Sequence, residues 1–354
     1  MSFRYIGSKA RLVDQIENYF GEPTGGYFVD AFCGTGSVAS AAAELGWPIK
    51  LNDSLTSAVV MSSARLASKQ QIKFTALGGY ENAISVLNNL EPQKGFIWET
   101  YSPASVVSCG IERRYFTEEN ATKIDTIRAK IAIWHESKLI SEWEANLLIA
   151  DLIHALNRVA NIAGTFGCFL SKWSPQAGKP LSMRARELKE RPTQLEMRIG
   201  DVLNVDFEKN DLVYLDPPYT KRQYASYYHI LETVARGDRP VVAGVSGLRE
   251  WKSKASDFCY KTRALDALSL LLDQISSRKI LLSYSCEGHI KTDDLENLLS
   301  NFHKAELVPI AKIGRYRPNI QASENGTEVT EFLAVIEKSP IEVAIAKAQE
   351  LSAA

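Results

Sequence analysis

Tyr27-Phe28-Val29-Asp30-Ala31-Phe32-Cys33-Gly34-Thr35-Gly36-Ser37 is the stretch that decides the fold. Tyr27 to Phe32 is an apolar run short enough for a buried strand, and the glycines that follow predict a tight turn. Val38 to Leu45 is alanine-rich and helical, and Gly46 ends it. Pro48-Ile49-Lys50-Leu51-Asn52-Asp53 then reads as a second strand that finishes on an acid. Strand, glycine turn, helix, strand, acid is one half of a doubly wound nucleotide-binding fold.

The turn also narrows the ligand. Glycines after a strand let the backbone approach a small molecule and aim helix N–H groups at it. The third glycine of the dinucleotide pattern is absent, and so is a GK[ST] sequence. Both absences argue against a dehydrogenase or an NTPase and for a ligand without phosphates. Phe32, Gly34 and Gly36 are therefore candidate ligand-binding positions, and Asp53 is placed to take two ribose hydroxyls.

Outward from this half, residues 71–195 have another texture. Thr117 to Trp134 and Ser141 to Ile162 have helical periodicity, and Ser141-Glu142-Trp143-Glu144 has the spacing of a capping box. Asn161 to Trp173 is glycine-rich and aromatic. Lys172, Lys179, Arg184, Arg186, Lys189 and Arg191 follow among prolines and glycines, a basic loop suited to nucleic-acid phosphates. The expected organisation is a cofactor-binding part (1–70), a helical insertion (71–195), a catalytic part (196–340) and a helical tail (341–354).

Alternation resumes at Leu195 to Asp201, and Leu212-Val213-Tyr214-Leu215 forms a strand running into Asp216-Pro217-Pro218-Tyr219. Helices are expected over Tyr228 to Arg236 and Thr262 to Ser277, and strands over Lys279 to Ser285 and Val329 to Ile336, the latter ending the sheet. Asp216-Pro217-Pro218-Tyr219 carries the strongest chemical signal. The lone pair of an exocyclic amine such as adenine N6 is delocalised into its ring, so the nitrogen is a poor nucleophile. A carboxylate and a carbonyl that accept its two hydrogens draw it towards an electron-rich, tetrahedral state. Asp216 and the Pro217 carbonyl suit that task, because two prolines stiffen the backbone. Tyr219 offers a flat face for stacking a base. Asp201 with Val202 ends another strand, where an acid can accept a hydrogen bond from the ligand's adenine amine.

Composition bounds the rest. The chain has 354 residues, 45% of them hydrophobic and 23% charged, which excludes collagen-like, disordered and disulfide-scaffold classes. The net charge is −1, so any DNA-binding surface must be a local patch. The five cysteines form no CxxC pair, and the histidines have no metal-ligand spacing. No signal-like segment or membrane-length apolar run occurs. A reducing cytosol is the expected setting.

Together these segments resemble the adenine-specific DNA methyltransferases of the alpha (Dam-type) group. Arg4-Tyr5-Ile6-Gly7-Ser8-Lys9 is similar to that group's N-terminal cofactor motif, with Ser8 in place of a usual glycine. Phe32-Cys33-Gly34-Thr35-Gly36 resembles its FxGxG motif, Asn52-Asp53 its ribose-binding acid, and Asp216-Pro217-Pro218-Tyr219 its catalytic motif. Ser283-Tyr284-Ser285 and Glu328-Val329-Thr330-Glu331-Phe332-Leu333 look like its later strands. Arg222-Gln223-Tyr224 with Tyr228-His229 resembles modification methylases of type IIS restriction systems.

The resemblance implies a class I, Rossmann-like S-adenosylmethionine-dependent methyltransferase: a mostly parallel α/β sheet with an antiparallel closing strand and an inserted helical target-recognition domain. It implies that Tyr5 and Lys9 lie in the cofactor pocket, that Lys9 also approaches the target base, and that Asp30 faces the methionine end of S-adenosylmethionine. The substrate would be an adenine extruded from double-stranded DNA at the nucleoid. Arg222, Tyr224, Lys172, Arg184 and Arg186 are the candidate DNA contacts. No metal is expected, and a cognate restriction endonuclease is the expected partner system. Transfer to cytosine N4, an RNA substrate, and a catalytically silent regulator that binds DNA and cofactor are the competing readings.

Overall fold

The computed structural model describes residues 5–314 and 328–353. These residues fall into two compact units. A sheet unit comprises Ser8–Ser62, Thr193–Gln223 and Lys254–Ala354, and a helical unit comprises Met1–Gly7, Ser63–Pro192 and Tyr224–Ser253.

Among the described residues the strands are β1 (Phe28–Asp30), β2 (Ile49–Asp53), β3 (Leu195–Ile199), β4 (Leu212–Leu215), β5 (Val242–Ala243), β6 (Leu248–Arg249), β7 (Lys279–Ser285), β8 (Lys304–Gly314) and β9 (Glu328–Glu337). Seven of them form the sheet unit's sheet, in the order β3-β2-β1-β4-β7-β9-β8. The pairs from β3 to β7 are parallel, and β9 runs antiparallel to both β7 and β8. The chain order reverses between β1 and β4, the place where an open α/β sheet leaves a crevice at its strand ends.

The central strands are apolar on both faces because helices cover them. β1 and β4 are buried at every position, as continuous rather than alternating apolar runs predict. Val29, Val213, Leu215, Ile280 and Leu282 pack with Leu268, Leu271 and Leu272 of the helix Ala264–Gln274 to make one side of the core. The edges are different. β3 is mostly exposed, and β8 carries Pro309, where the register with β9 shifts before Ala311. Proline removes a ladder donor and is tolerated on an edge strand. The sequence reading ends the sheet at Val329 to Ile336; β8 lies beyond it, unread because Pro309 interrupts its pattern.

The helical unit is built on the helices Glu118–Glu136 and Glu142–Val159. The capping box forms: Ser141 Oγ accepts from Glu144 N at 3.2 Å, and Glu144 Oε2 accepts from Ser141 N at 2.8 Å. The unit draws on three stretches of chain because buried polar groups stitch them together. His229 is fully buried at the start of His229–Arg236, and its Nε2 lies 2.9 Å from the Phe166 carbonyl. Burial pushes that imidazole down to about 3, so it is neutral. The expected helix over Tyr228 to Arg236 is present as His229–Arg236, and a short helix, Tyr224–Tyr227, that the sequence reading did not include precedes it across the non-helical backbone of Tyr228. Arg113 is buried and donates to the Thr100, Gly244 and Val245 carbonyls, fixing the turn between β5 and β6.

Among the described residues no helix is long and apolar enough to cross a membrane, and no three His, Cys, Asp or Glu side chains are grouped to hold a metal ion.

Candidate active site

The glycine turn after β1 is set by steric demand. Gly36 has φ +73°, and a Cβ there would stand 2.7 Å from Ser62 Cα. Any side chain would meet backbone, so the loop stays bare and close to whatever it holds. Ser62 Oγ donates to the Gly34 carbonyl at 3.1 Å, which ties the turn to the helix Thr56–Leu66. Asp53, the last residue of β2, accepts from Gly34 N at 3.1 Å through Oδ2 and from Leu55 N at 3.0 Å through Oδ1.

Beneath the turn lie two buried acceptors without partners among the described residues, Asp30 Oδ1 and Asn52 Oδ1. Asn52 Nδ2 is committed to the Ala31 carbonyl at 3.0 Å. Burial pushes the Asp30 carboxyl up to about 8, and the charges of Asp216 and Asp53 add to the rise. Buried acceptors normally find donors, so an orphaned carboxylate oxygen beside a bare glycine loop fits a cationic ligand with hydroxyl groups. S-adenosylmethionine has both.

The second cluster stands at the carboxyl end of β4. Asp216 follows Leu215 directly, and its Oδ1 is 3.0 Å from Lys9 Nζ. Lys9, on the short turn Lys9–Arg11, is 5% exposed; its ammonium lies 3.5 Å from Glu331 Oε2 of β9 and 5.0 Å from the centre of the Tyr219 ring. Burial pushes Asp216 up to about 6, against the downward pull of Lys9. Burial alone would lower the Lys9 ammonium, but Asp216, Tyr219, Glu331 and Tyr214 raise it well above the ordinary lysine range. Asp216 Oδ2 takes no hydrogen bond among the described residues. Tyr219 is held by its carbonyl, which accepts from His289 N at 2.8 Å, and by the Tyr284 ring at 5.6 Å.

Lys9, Asp30, Phe32, Gly34, Gly36, Asp53 and the Asp216–Tyr219 segment all belong to the sheet unit, and the coupling of Asp30 to both Asp53 and Asp216 joins turn and motif electrostatically. Other candidates have other surroundings. Asp201 is exposed and caps its own turn, accepting from Leu203 N at 3.0 Å, while the adjacent Val202 is buried. Tyr5 and Tyr224 belong to the helical unit. There Tyr5 stacks on Tyr228 with ring centres 4.2 Å apart, and Tyr224 donates to the Ile6 carbonyl at 3.2 Å. Arg4, first residue of the N-terminal motif, lies outside the described residues.

The basic loop divides. Lys172, Arg184 and Arg222 are exposed. Arg186 is paired with buried Asp151 at 2.7 Å, and Asp151 also accepts from Tyr80. Two groups of the site lie inside the quoted motifs with no role read for them, the Glu331 carboxylate and the side-chain carbonyl of Asn52. The signal for Glu331 is an acid standing in the inward alternation Val329, Glu331, Leu333 of a strand, where only a partner makes burial tolerable.

A sheet ordered β3-β2-β1-β4-β7-β9-β8 with β9 antiparallel, a glycine turn after β1 and an acid ending β2 defines the class I S-adenosylmethionine-dependent methyltransferases. The chain belongs to the D12 class N6 adenine-specific DNA methyltransferase family, whose model matches residues 5–298. Among similar proteins, modification methylase StsI of Streptococcus sanguinis is 33% identical over 346 residues, 95% of this chain and 52% of the relative. Type II methyltransferase M.FokI of Planomicrobium okeanokoites is 32% identical over 345 residues, with the same shares. Type II methyltransferase M.NlaIII of Neisseria lactamica is 29% identical over 344 residues, 95% of this chain and 99% of the relative. The chain thus spans about half the length of the first two relatives and nearly all of the third. The family's description names N6 of adenine in DNA as the target of its members.

Proposed function

We propose that this chain methylates N6 of an adenine extruded from double-stranded DNA, as the modification enzyme of a restriction–modification system. The observation that carries the reading is the Asp216 carboxylate, fixed by Lys9 through one oxygen and beside Tyr219, at the end of the strand next to the glycine turn.

Asp216 Oδ2 and the Pro217 carbonyl accept the two amine hydrogens, and Pro218 keeps that backbone stiff. Tyr219 stacks the base. The N6 lone pair then forms the new N–C bond, and N6 gives up one proton. A carboxyl near 6 remains ionised at neutral pH and is basic enough to receive that proton. Bound S-adenosylmethionine supplies the electrophilic methyl, whose C–S bond breaks with its electron pair passing to sulfur. Asp30 would hold its ammonium, Asp53 its ribose, and Asp201 and Val202 its adenine, with Phe32, Gly34, Gly36 and Lys9 of the same unit lining the pocket. No metal takes part.

Exposed Lys172, Arg184 and Arg222 neutralise phosphates, Tyr224 is a further DNA contact, and the helical insertion, residues 71–195, reads base edges. A cognate endonuclease recognising the same site fits relatives named modification methylase and type II methyltransferase. Such an enzyme works where chromosomal DNA is, at the nucleoid. Expression in a methylation-deficient host, followed by sequencing that detects modified bases, tests the proposal. N6-methyladenine within one recurrent sequence is the expected result, and a genome without modified adenine refutes it.

A further inference from the structure

Two acids share one ammonium at the site, and the motif chemistry uses only one of them. Lys9 Nζ stands 3.0 Å from Asp216 Oδ1 and 3.5 Å from Glu331 Oε2. Lys9 is 5% exposed and Glu331 8%. Glu331 sits in the interior of β9, opposite Ser285 of β7 and Ala311 of β8, where an acid is costly to bury. A Lys9–Asp216 pair alone would be neutral, its ammonium drawn wholly onto the catalytic carboxylate. With Glu331 the group carries a net negative charge, and the ammonium is divided.

We propose that Glu331 is a positioning residue for methyl transfer: it draws the Lys9 ammonium partly off Asp216, so that Asp216 keeps a basic oxygen for the amine that becomes positively charged. The inference rests on Asp216 being the acceptor of the base amine. The charged and titratable groups around Asp216 are Lys9 from the N-terminal turn, Asp30 at the end of β1, Tyr214 in β4, Tyr219 after it, and Glu331 in β9. Among them Glu331 raises the Asp216 carboxyl and Lys9 lowers it. Loss of the Glu331 charge therefore makes Asp216 a weaker base, by removing a like charge and concentrating Lys9 on it.

Glu331→Gln keeps the side-chain volume and removes the charge. The expected result is a kcat lower by up to about tenfold with KM for cofactor and DNA little changed. The acid limb of the kcat–pH profile should move down by about one unit. Glu331→Asp, which restores the charge one methylene short, should recover part of kcat and bring the limb back towards its original position. A carboxyl-13C titration without substrate gives the second readout. The resonance missing in Asp216→Asn should titrate at lower pH in Glu331→Gln. Wild-type kcat and an unmoved limb in Glu331→Gln overturn the inference. So does a lost kcat with limb and titration unmoved, which would mark a structural role only. Should the wild-type leave adenine unmethylated, the proposed function fails instead, and the carboxyl titration alone still decides whether Glu331 acts on Asp216.

Discussion

Cofactor binding should release a proton, and Asp30 should be its source. The carboxyl is fully buried with one orphaned oxygen, and burial holds it at about 8. At pH 6.5 such a group is therefore protonated in about 97% of free molecules. A cationic ammonium placed against it favours the carboxylate, so binding expels close to one proton. The sign follows: affinity rises with pH, by about tenfold per unit below 8. It falls again above about 8, because the ligand's own α-amine loses its proton there. Calorimetry at pH 6.5 in two buffers of different ionisation enthalpy measures the proton directly; about one should be released per cofactor bound. Asp30→Asn should bind more weakly and release none. Equal apparent enthalpies in the two buffers for wild-type protein, or wild-type proton release from Asp30→Asn, would rule out Asp30 as the source of the proton.

Asp216→Asn should lose at least about a hundredfold in methyl transfer while cofactor affinity, measured by the same calorimetry, stays within a few-fold. In the wild-type, kcat should fall as pH drops through about 6, where the Asp216 carboxylate is protonated; a profile flat down to pH 5 contradicts this role. Arg184 and Arg186 should differ in kind. Arg184→Ala reduces the salt dependence of DNA binding by about one unit of slope with an unchanged melting temperature. Arg186→Ala leaves buried Asp151 without its cation and should cost about 3 kcal/mol in denaturant unfolding. Gly36→Ala puts a Cβ 2.7 Å from Ser62 Cα at positive φ, so thermal unfolding should show a loss of about 1–3 kcal/mol together with weakened cofactor binding.

The parts of this protein that could be read from sequence are those where one physical demand dominates. β1, β4 and β7 are apolar on both faces, so their runs are continuous, and the bounds read for β4 and β7 coincide with the observed strands. The capping box at Ser141 is local chemistry, complete within four residues. β8 was illegible because Pro309 interrupts its pattern, and only an edge position makes the proline acceptable. The short helix Tyr224–Tyr227 is four residues long, too short for a periodic signal. At the site, Asp216 and the glycine turn are contiguous motifs, whereas Glu331 meets Lys9 across 322 positions. Arg184 and Arg186 look alike on the page, two residues apart in an extended segment. Only the helix carrying Asp151 distinguishes an internal ion pair from an exposed cation.

Everything at the proposed site turns on the methylated amine being N6 of adenine in DNA. Purified protein, S-adenosylmethionine and unmethylated duplex DNA, followed by enzymatic digestion and mass spectrometry of the nucleosides, tests it most directly. N6-methyldeoxyadenosine is the expected product of the wild-type reaction, with none from Asp216→Asn. N4-methyldeoxycytidine, or no methylated nucleoside at all, would contradict it.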